Sequence, residues 1–281
     1  MPDATHPAIS TACRLQKCGR QAFCWYNGTM VDVIILGGGT VEDDALRRDA
    51  GVNCKSLIPL AGRPMVEHVL AAFREAPGVG RIALVGPPAL GTAIRPGLAD
   101  LILVEGATRA ENLYRGIDAL PDSERTLLAT ADTPLLTTTM VTDLLEHAPD
   151  CDICYPYVAR ETVLARFGER EWVFIKLCDA AFTGSSMALF RPAAFQQLRP
   201  LVEQVIGAHR EHWKVARLFG LWFLLRTKFG WITVREIEKH VSKVVKLDCR
   251  GYCSPYAELA FDVDHHADLP IARQQLENPA G

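Results

Sequence analysis

Lys55 stands in a loop a short way beyond the glycine triplet Gly37-Gly38-Gly39, and Asp132 stands just past the apolar run Thr126 to Thr130. Those residue types suit phosphate chemistry. Successive glycines let backbone N–H groups close on an anionic oxygen, because a backbone without Cβ takes positive φ and approaches a ligand closely. A lysine beside them neutralises charge that builds on a phosphate during transfer. A carboxylate at the end of a neighbouring strand lies where a phosphate-bound Mg2+ would be met, since that cation prefers one or two carboxylates plus phosphate oxygens. Asp132 also reads as the cap of a helix expected from about Thr137, but Thr137, Thr138 and Thr139 are available for that task. Arg109 opens a helix expected to run to about Leu120. A cation there opposes the helix dipole and points to an anionic partner; the plainer reading is a surface arginine.

The elements that must position these side chains follow from periodicity. Val31, Val33, Ile34, Ile35 and Leu36 make a short β-branched run that suits a strand buried on both faces, ending at the glycines. In open α/β sheets ligands collect beyond the carboxyl ends of such strands. Past Lys55 come Leu57, Pro59, Leu60 and the turn Gly62-Arg63-Pro64, with Pro64 opening a helix that spaces Val66, Val69, Leu70 and Phe73 on one face. Arg81 to Val85, Leu101 to Val104 and Thr126 to Thr130 read as further strands alternating with helices, which implies βαβ crossovers and a parallel sheet.

A strand ending Leu36-Gly37-Gly38, an arginine at 47 or 48, Lys55, then Leu60, Gly62 and Pro64 resembles the opening of the nucleotidyltransferases with the GT-A-like nucleotide-diphospho-sugar transferase fold, in their MobA-like branch. Their pattern is roughly L-A-G-G, an Arg, a Lys, then L-x-G-x-P. The resemblance implies a Rossmann-like three-layer αβα sandwich, mostly parallel, over residues 30–281 as one domain. It implies an Mg2+-dependent enzyme that moves a nucleoside monophosphate from CTP or GTP to a phosphorylated or hydroxyl-bearing small molecule, with pyrophosphate leaving. Leu36, Gly37, Gly38 and Gly39 would then hold the nucleotide, Lys55 would neutralise developing charge, and Arg47 or Arg48 would clamp the pyrophosphate. Asp132-Thr133-Pro134 matches the family's G-D-x-P, whose Asp is a metal ligand, and Asp264 in Asp262-Val263-Asp264 stands where the second ligand would be. The stretch Glu105 to Asn112 looks like the G-G-A-T-R-x-x-S-V segment of the cytidylyltransferase acting on methylerythritol phosphate, which implies nucleotide contacts for Arg109 and Asn112. That likeness hints at CTP, whereas the opening hints at GTP. Thr183, Gly184 and Ser185 fall in the part that supplies the acceptor pocket, and read equally as plain loop residues.

Two features depart from the pattern. Glu42, Asp43 and Asp44 lie between the glycines and the arginines, where three carboxylates would repel a triphosphate unless they point away or hold metal. His265 and His266 replace the usual Thr-Pro near the end. Asp262-x-Asp264 also has the D-x-D form of a GT-A-like glycosyltransferase, and a non-catalytic nucleotide-binding protein is a third reading. A Rossmann dehydrogenase is disfavoured, because the triplet lacks G-x-G-x-x-G spacing.

The 281 residues carry a net charge of −3, so no general attraction to nucleic acid or anionic lipid is expected, and any basic site has to be local. Nine scattered cysteines, an odd number, suit reduced thiols and a cytoplasmic protein; the CxxC at Cys151 and Cys154 is half a zinc spacing without a second half. Residues 1–29 lack the apolar core of a signal peptide and read as a disordered extension. Trp172 to Leu177 alternates as a half-buried strand, Asp179 to Ser186 reads as a loop, and Pro192 to Leu225 as helix. The greasy stretch 218–225 is far short of the ~20 residues of a membrane span; it fits a buried core helix first, an interfacial or oligomer-forming one second. Ile232 to Val241 reads as a helix and Lys243 to Leu247 as a strand.

Overall fold

β1 (Val31–Leu36) runs through the middle of the molecule with Val33, Ile34 and Ile35 wholly buried. Their period-two alternation divides them between two cores, Val33 and Ile35 on one face of the sheet and Ile34 on the other. The computed structural model describes residues 30–207 and 219–277. The extension expected over 1–29 and the middle of the helical stretch expected from Pro192 to Leu225 lie outside the described residues.

After β1 come α1 (Asp44–Ala50), a one-turn 3-10 helix at Lys55–Leu57, and the hairpin of β2 (Pro59–Leu60) and β3 (Arg63–Pro64). Ala61 and Gly62 both take positive φ in the two-residue hairpin loop, which is what the glycine of the L-x-G-x-P pattern is for. The alternation continues with α2 (Met65–Arg74), β4 (Val79–Gly86), α3 (Leu90–Ala93), β5 (Leu101–Val104), α4 (Arg109–Asp118), β6 (Thr126–Thr130) and α5 (Thr138–His147). Then follow β7 (Ile153–Ala159), α6 (Arg160–Phe167), β8 (Ile175–Lys176), β9 (Ala181–Gly184), β10 (Met187–Phe190) and α7 (Pro192–Gly207). The chain closes with α8 (Leu221–Lys228), α9 (Val234–Val245), β11 (Cys249–Ser254), a 3-10 turn at Ala257–Ala260, and α10 (Asp268–Glu277).

The main sheet has the order β5-β4-β1-β6-β10-β7-β9-β8, with β11 paired along β7. Its β5-β4-β1-β6 core is entirely parallel, whereas β10 pairs antiparallel with both β6 and β7. α2 and α5 cover one face and α4 and α7 the other, giving the three-layer α/β sandwich expected. From β1 the chain moves to β4 and β5, then returns to β6 on the opposite side. The strand order therefore reverses between β1 and β6, and a crevice opens beyond their carboxyl ends.

Four local expectations are corrected. Strand structure within 172–177 is confined to Ile175–Lys176, and Val173 is 83% exposed, because Arg170 stacks over Trp172 and Phe174 packs against that ring instead of entering the sheet. Residues 181–184, expected in a loop, form β9 by pairing with β7 and β8. The strand expected at 243–247 belongs to α9, whose reciprocal Thr233–Glu236 capping box starts it firmly and whose Lys246 ends it in the left-handed region; the strand follows as β11. The apolar stretch near 218–225 is not core, since α8 buries none of its residues and leaves Leu221 and Trp222 about two-thirds exposed.

Helix α4 is seated on β1 through a missing side chain: a Cβ on Gly116 would stand 2.5 Å from Ile34 Cγ2. Ile34 is buried in the central strand and has nowhere to move. Gly116→Val is therefore expected to lower stability by about 1–3 kcal/mol. The urea midpoint reads this; a variant as stable as the parent would show that α4 rides loosely on the sheet.

Candidate active site

The crevice beyond β1 and β6 is built from three pieces of chain. The first is the glycine triplet. Gly37 N–H donates to Val85 O (2.7 Å), and its carbonyl accepts from the Ser56 hydroxyl, so the triplet is tied both to β4 and to the loop that carries Lys55. Gly39 O accepts the Lys55 N–H at 3.2 Å. Gly38 lies close beneath the end of the Glu105 side chain: a Cβ there would fall 1.9 Å from Glu105 Oε2, so any larger residue would have to push that carboxylate aside.

The second piece extends β6. Ala131 N–H donates to Leu36 O (3.1 Å), which carries the β1–β6 pairing one step further and delivers Asp132 to the crevice. Thr137 caps α5 by accepting from Met140 N–H, so Asp132 is not needed as a cap. Instead its Oδ1 accepts from the Thr130 hydroxyl and its Oδ2 from Lys55 Nζ at 2.6 Å.

The third piece comes from the far end of the chain. Val263 N–H donates to Asp132 O (3.0 Å), and this bond lays Asp262-Val263-Asp264 alongside β6. Val263 points into the core, and Asp264 reaches the other side of the Lys55 ammonium. Asp268, buried at the head of α10, accepts from Asp264 N–H (2.9 Å) and His265 N–H (2.7 Å) and pairs with Arg170, so the turn that presents Asp264 is pinned from beneath. His265 and His266 stay at the surface.

The electrostatics follow from three carboxylates and one ammonium. Burial alone would lower the Lys55 pKa, but Asp132 and Asp264 outweigh it and hold the ammonium above the ordinary lysine value. Asp262 is in the opposite position. Burial, then the Asp132 carboxylate beside it, push its carboxyl up to about 7, against the Ser186 hydroxyl, which lies 3.0 Å from both oxygens and favours the ionised form. In the sequence Asp262 carries a role only in the D-x-D form of the glycosyltransferase reading, and Ser186 only as the end of the hydroxyl-bearing loop 183–186; their pairing with each other is not legible there. The i, i+2 spacing of Asp262 and Asp264 about an inward Val263 was the available signal.

Other residues expected at the site are placed as follows. Arg47 pairs with Asp44 on the exposed surface of α1, and Arg48 is exposed in the same last turn. Asp43 caps α1, accepting from Ala45 and Leu46 N–H (both 2.8 Å) and from His266 N–H (3.2 Å), which holds its carboxyl below the usual range. Of the three acids in this loop, then, Asp43 is used as a cap and as a strap to the chain end, and Asp44 as an ion-pair partner. Leu36 is half-buried at the end of β1. Arg109 is exposed in the first turn of α4. Asn112 is buried and accepts from Gly106 N–H (2.6 Å), shaping the loop that brings Glu105 to Gly38. Thr183 and Gly184 lie on β9, with Gly184 beneath Tyr155, whose hydroxyl donates to Ser185 O (2.9 Å). Ser185 is buried and donates to Pro156 O (2.9 Å), so Ser186 is the hydroxyl that turns to the acids.

One ammonium bonded to both Asp132 and Asp264 means that these carboxylates face a common space of single-cation size. All-oxygen donors with excess negative charge fit Mg2+, which takes its remaining ligands from phosphate and water. Among the described residues no three side chains already stand together as a closed metal cage.

Residues 33–201 match the family model of the MobA-like NTP transferase domain. The 2-C-methyl-D-erythritol 4-phosphate cytidylyltransferase of Cereibacter sphaeroides is 33% identical over 192 residues, spanning 66% of this chain and 77% of that enzyme. Among solved structures, a hypothetical transferase from Thermus thermophilus superposes with a TM-score of 0.77 at 32% identity, covering 86% of this chain and all of that one. CMP:2-keto-3-deoxy-manno-octonic acid synthetase complexed with CTP shares the fold, with a TM-score of 0.57 at 12% identity over 90% of this chain and all of that one.

Asp262 predicts a pH effect of definite sign. Its folded pKa lies near 7 and its ordinary value is 3.8, so between these the folded chain keeps a proton that the unfolded chain has released. Stability from this group therefore falls as pH rises through that window and stays low above it. With a chelator present, Asp262→Asn is expected to be more stable than the parent at pH 8 by roughly 1–3 kcal/mol and level with it near pH 4. Urea midpoints at pH 4.5, 6.5 and 8 test this; identical pH slopes in the two proteins would refute the assignment.

Proposed function

The chain belongs to the MobA-like NTP transferase family, and on that premise we propose that it is an Mg2+-dependent nucleotidyltransferase taking CTP as its donor. The observation that carries the proposal is Lys55 held between Asp132 and Asp264 at the strand-order reversal, with the glycine triplet bonded to the same loop. The reaction is attack of an acceptor oxygen on the α-phosphorus, with pyrophosphate leaving.

Each piece of the site has a task in that reaction. Exposed N–H groups of Gly38 and Gly39 receive the triphosphate, and Lys55 neutralises charge that grows as the α–β bridge breaks. Asp132 and Asp264 would hold Mg2+, which supplies Lewis-acid charge neutralisation and in-line orientation of the phosphates. Thr130 holds the Asp132 carboxylate, and Asp268 holds the backbone turn that presents Asp264. Arg47 and Arg48 sit on the exposed side of α1 and would clamp pyrophosphate, Arg47 by leaving its surface pair with Asp44, a pair worth little in water. Glu105 beside Gly38 is an acceptor that an N–H on a base edge could meet, without by itself choosing among the bases. Similarity to the cytidylyltransferases is what favours cytosine. The acceptor, a phosphorylated or hydroxyl-bearing small molecule, would enter between β9 and the Ser186–Asp262 pair.

Pyrophosphate release from each of the four NTPs, with Mg2+ and candidate acceptors, is the direct test. CTP is expected to be preferred, and a chelator is expected to stop the reaction. Lys55→Ala should lower kcat/KM by about 100-fold or more while raising KM less, because the lost contact strengthens in the transition state. Unchanged release by that variant would remove the mechanism. A second test needs no acceptor: CTP with Mg2+ should raise the melting temperature more than GTP or ATP does.

A further inference from the structure

We propose that the α8–α9 pair is a docking surface for an anionic lipid membrane, a role separate from the crevice and independent of the reaction assigned to it. Helix α8 carries two unlike faces. Phe223 stacks on His240 of α9 at 3.8 Å, and the His240 Nε2–H donates to Phe219 O (2.8 Å), which fixes the inward side. At about 100° per residue, Leu221, Trp222, Leu225 and Phe229 share one arc on the other side. Of these, Leu221 is 65%, Trp222 66% and Phe229 57% exposed, and Trp231, stacked on Phe229, is 58% exposed. Large apolar side chains grouped this way mark a contact surface, whereas single ones do not.

Charge identifies the partner. Although the whole chain is negative at −3, residues 219–247 hold six lysines and arginines against two glutamates, a local +4. Arg235, Lys239, Lys243 and Lys246 recur at the spacing of a single helix face, and all four are exposed. Two tryptophans and a phenylalanine on α8 and the turn after it, with a cationic stripe on the helix that α8 packs against, together have the composition of an interfacial surface, with rings that settle at the headgroup level and cations that meet anionic lipid. A second copy of the chain is a poorer occupant, because an isologous contact would bring one cationic stripe towards another.

The test is sedimentation of the full chain with vesicles of phosphatidylcholine alone or with about a third phosphatidylglycerol, at low and high salt, with tryptophan emission recorded. Binding is expected only with the anionic vesicles, with a blue shift, and is expected to fade in 0.5 M salt as screening shortens. Arg235→Glu with Lys239→Glu and Lys243→Glu should weaken binding on the order of a hundredfold, each cation near a membrane being worth about fivefold. Trp222→Ser with Phe229→Ser should lose the blue shift. Both variants should keep the parent's circular dichroism and its pyrophosphate release in solution. No binding to either vesicle, binding indifferent to the charge reversals, or a concentration-dependent dimer abolished by Trp222→Ser would each overturn the proposal, the last in favour of a second copy.

Discussion

The ammonium of Lys55 sits between carboxylates that come from β6 and from the chain's last loop, and most of the architecture around the crevice exists to hold those three groups in register. Lys55 is largely buried, so leaving it unpaired would cost several kcal/mol, whereas Asp264 is more than half exposed and its share of the attraction is screened. Asp132 is therefore the stronger structural partner, and Asp264 the one that solvent or a ligand can most easily draw away. A crevice whose weaker contact faces outward is suited to exchanging partners without losing its shape.

The surplus of acid in the crevice has a second effect. With Asp262 added, the floor carries more negative charge than Lys55 can offset, and the cost appears as the elevated carboxyl of Asp262. Folding tolerates this because Ser186 and the buried packing of Val263 and Phe261 secure the segment by other means. Local instability of this sort, maintained by the surrounding core, is what sites for cationic or strongly polarised ligands tend to show.

Much of the sheet was legible because its strands are short, β-branched and punctuated by glycine. The run before Gly37 and the runs at 82–85 and 126–130 lie within observed strands. Lys55 and Asp132 are legible from residue type and strand-end position, whereas the place of Asp264 beside them is legible only through family resemblance, since nothing local ties residues so far apart. What misled was local alternation without its tertiary setting. The aromatic side chains of Trp172 and Phe174 pack on each other, with Arg170 over the Trp172 ring, and Val244 lies on a helix whose cap, Thr233, stands eleven residues earlier. Hydrophobicity near 221 was taken for burial, although periodicity alone does not say which way a greasy face points. The D-x-D form shows Asp262 but not its setting, since the hydroxyl it bonds, Ser186, lies 76 residues away.

Lys55 and Asp264 are separated by 209 residues, and the bond from Val263 to Asp132 also waits for the end of the chain. During synthesis the parallel core from β1 to β6 leaves the ribosome with its lysine, glycines and one acid already in place but with the opposite wall missing. Assembly of the crevice charges accordingly depends on a segment far along the chain docking against β6. A chain without residues 262–264 would keep the β5-β4-β1-β6 pairings and leave Lys55 with Asp132 as its carboxylate partner.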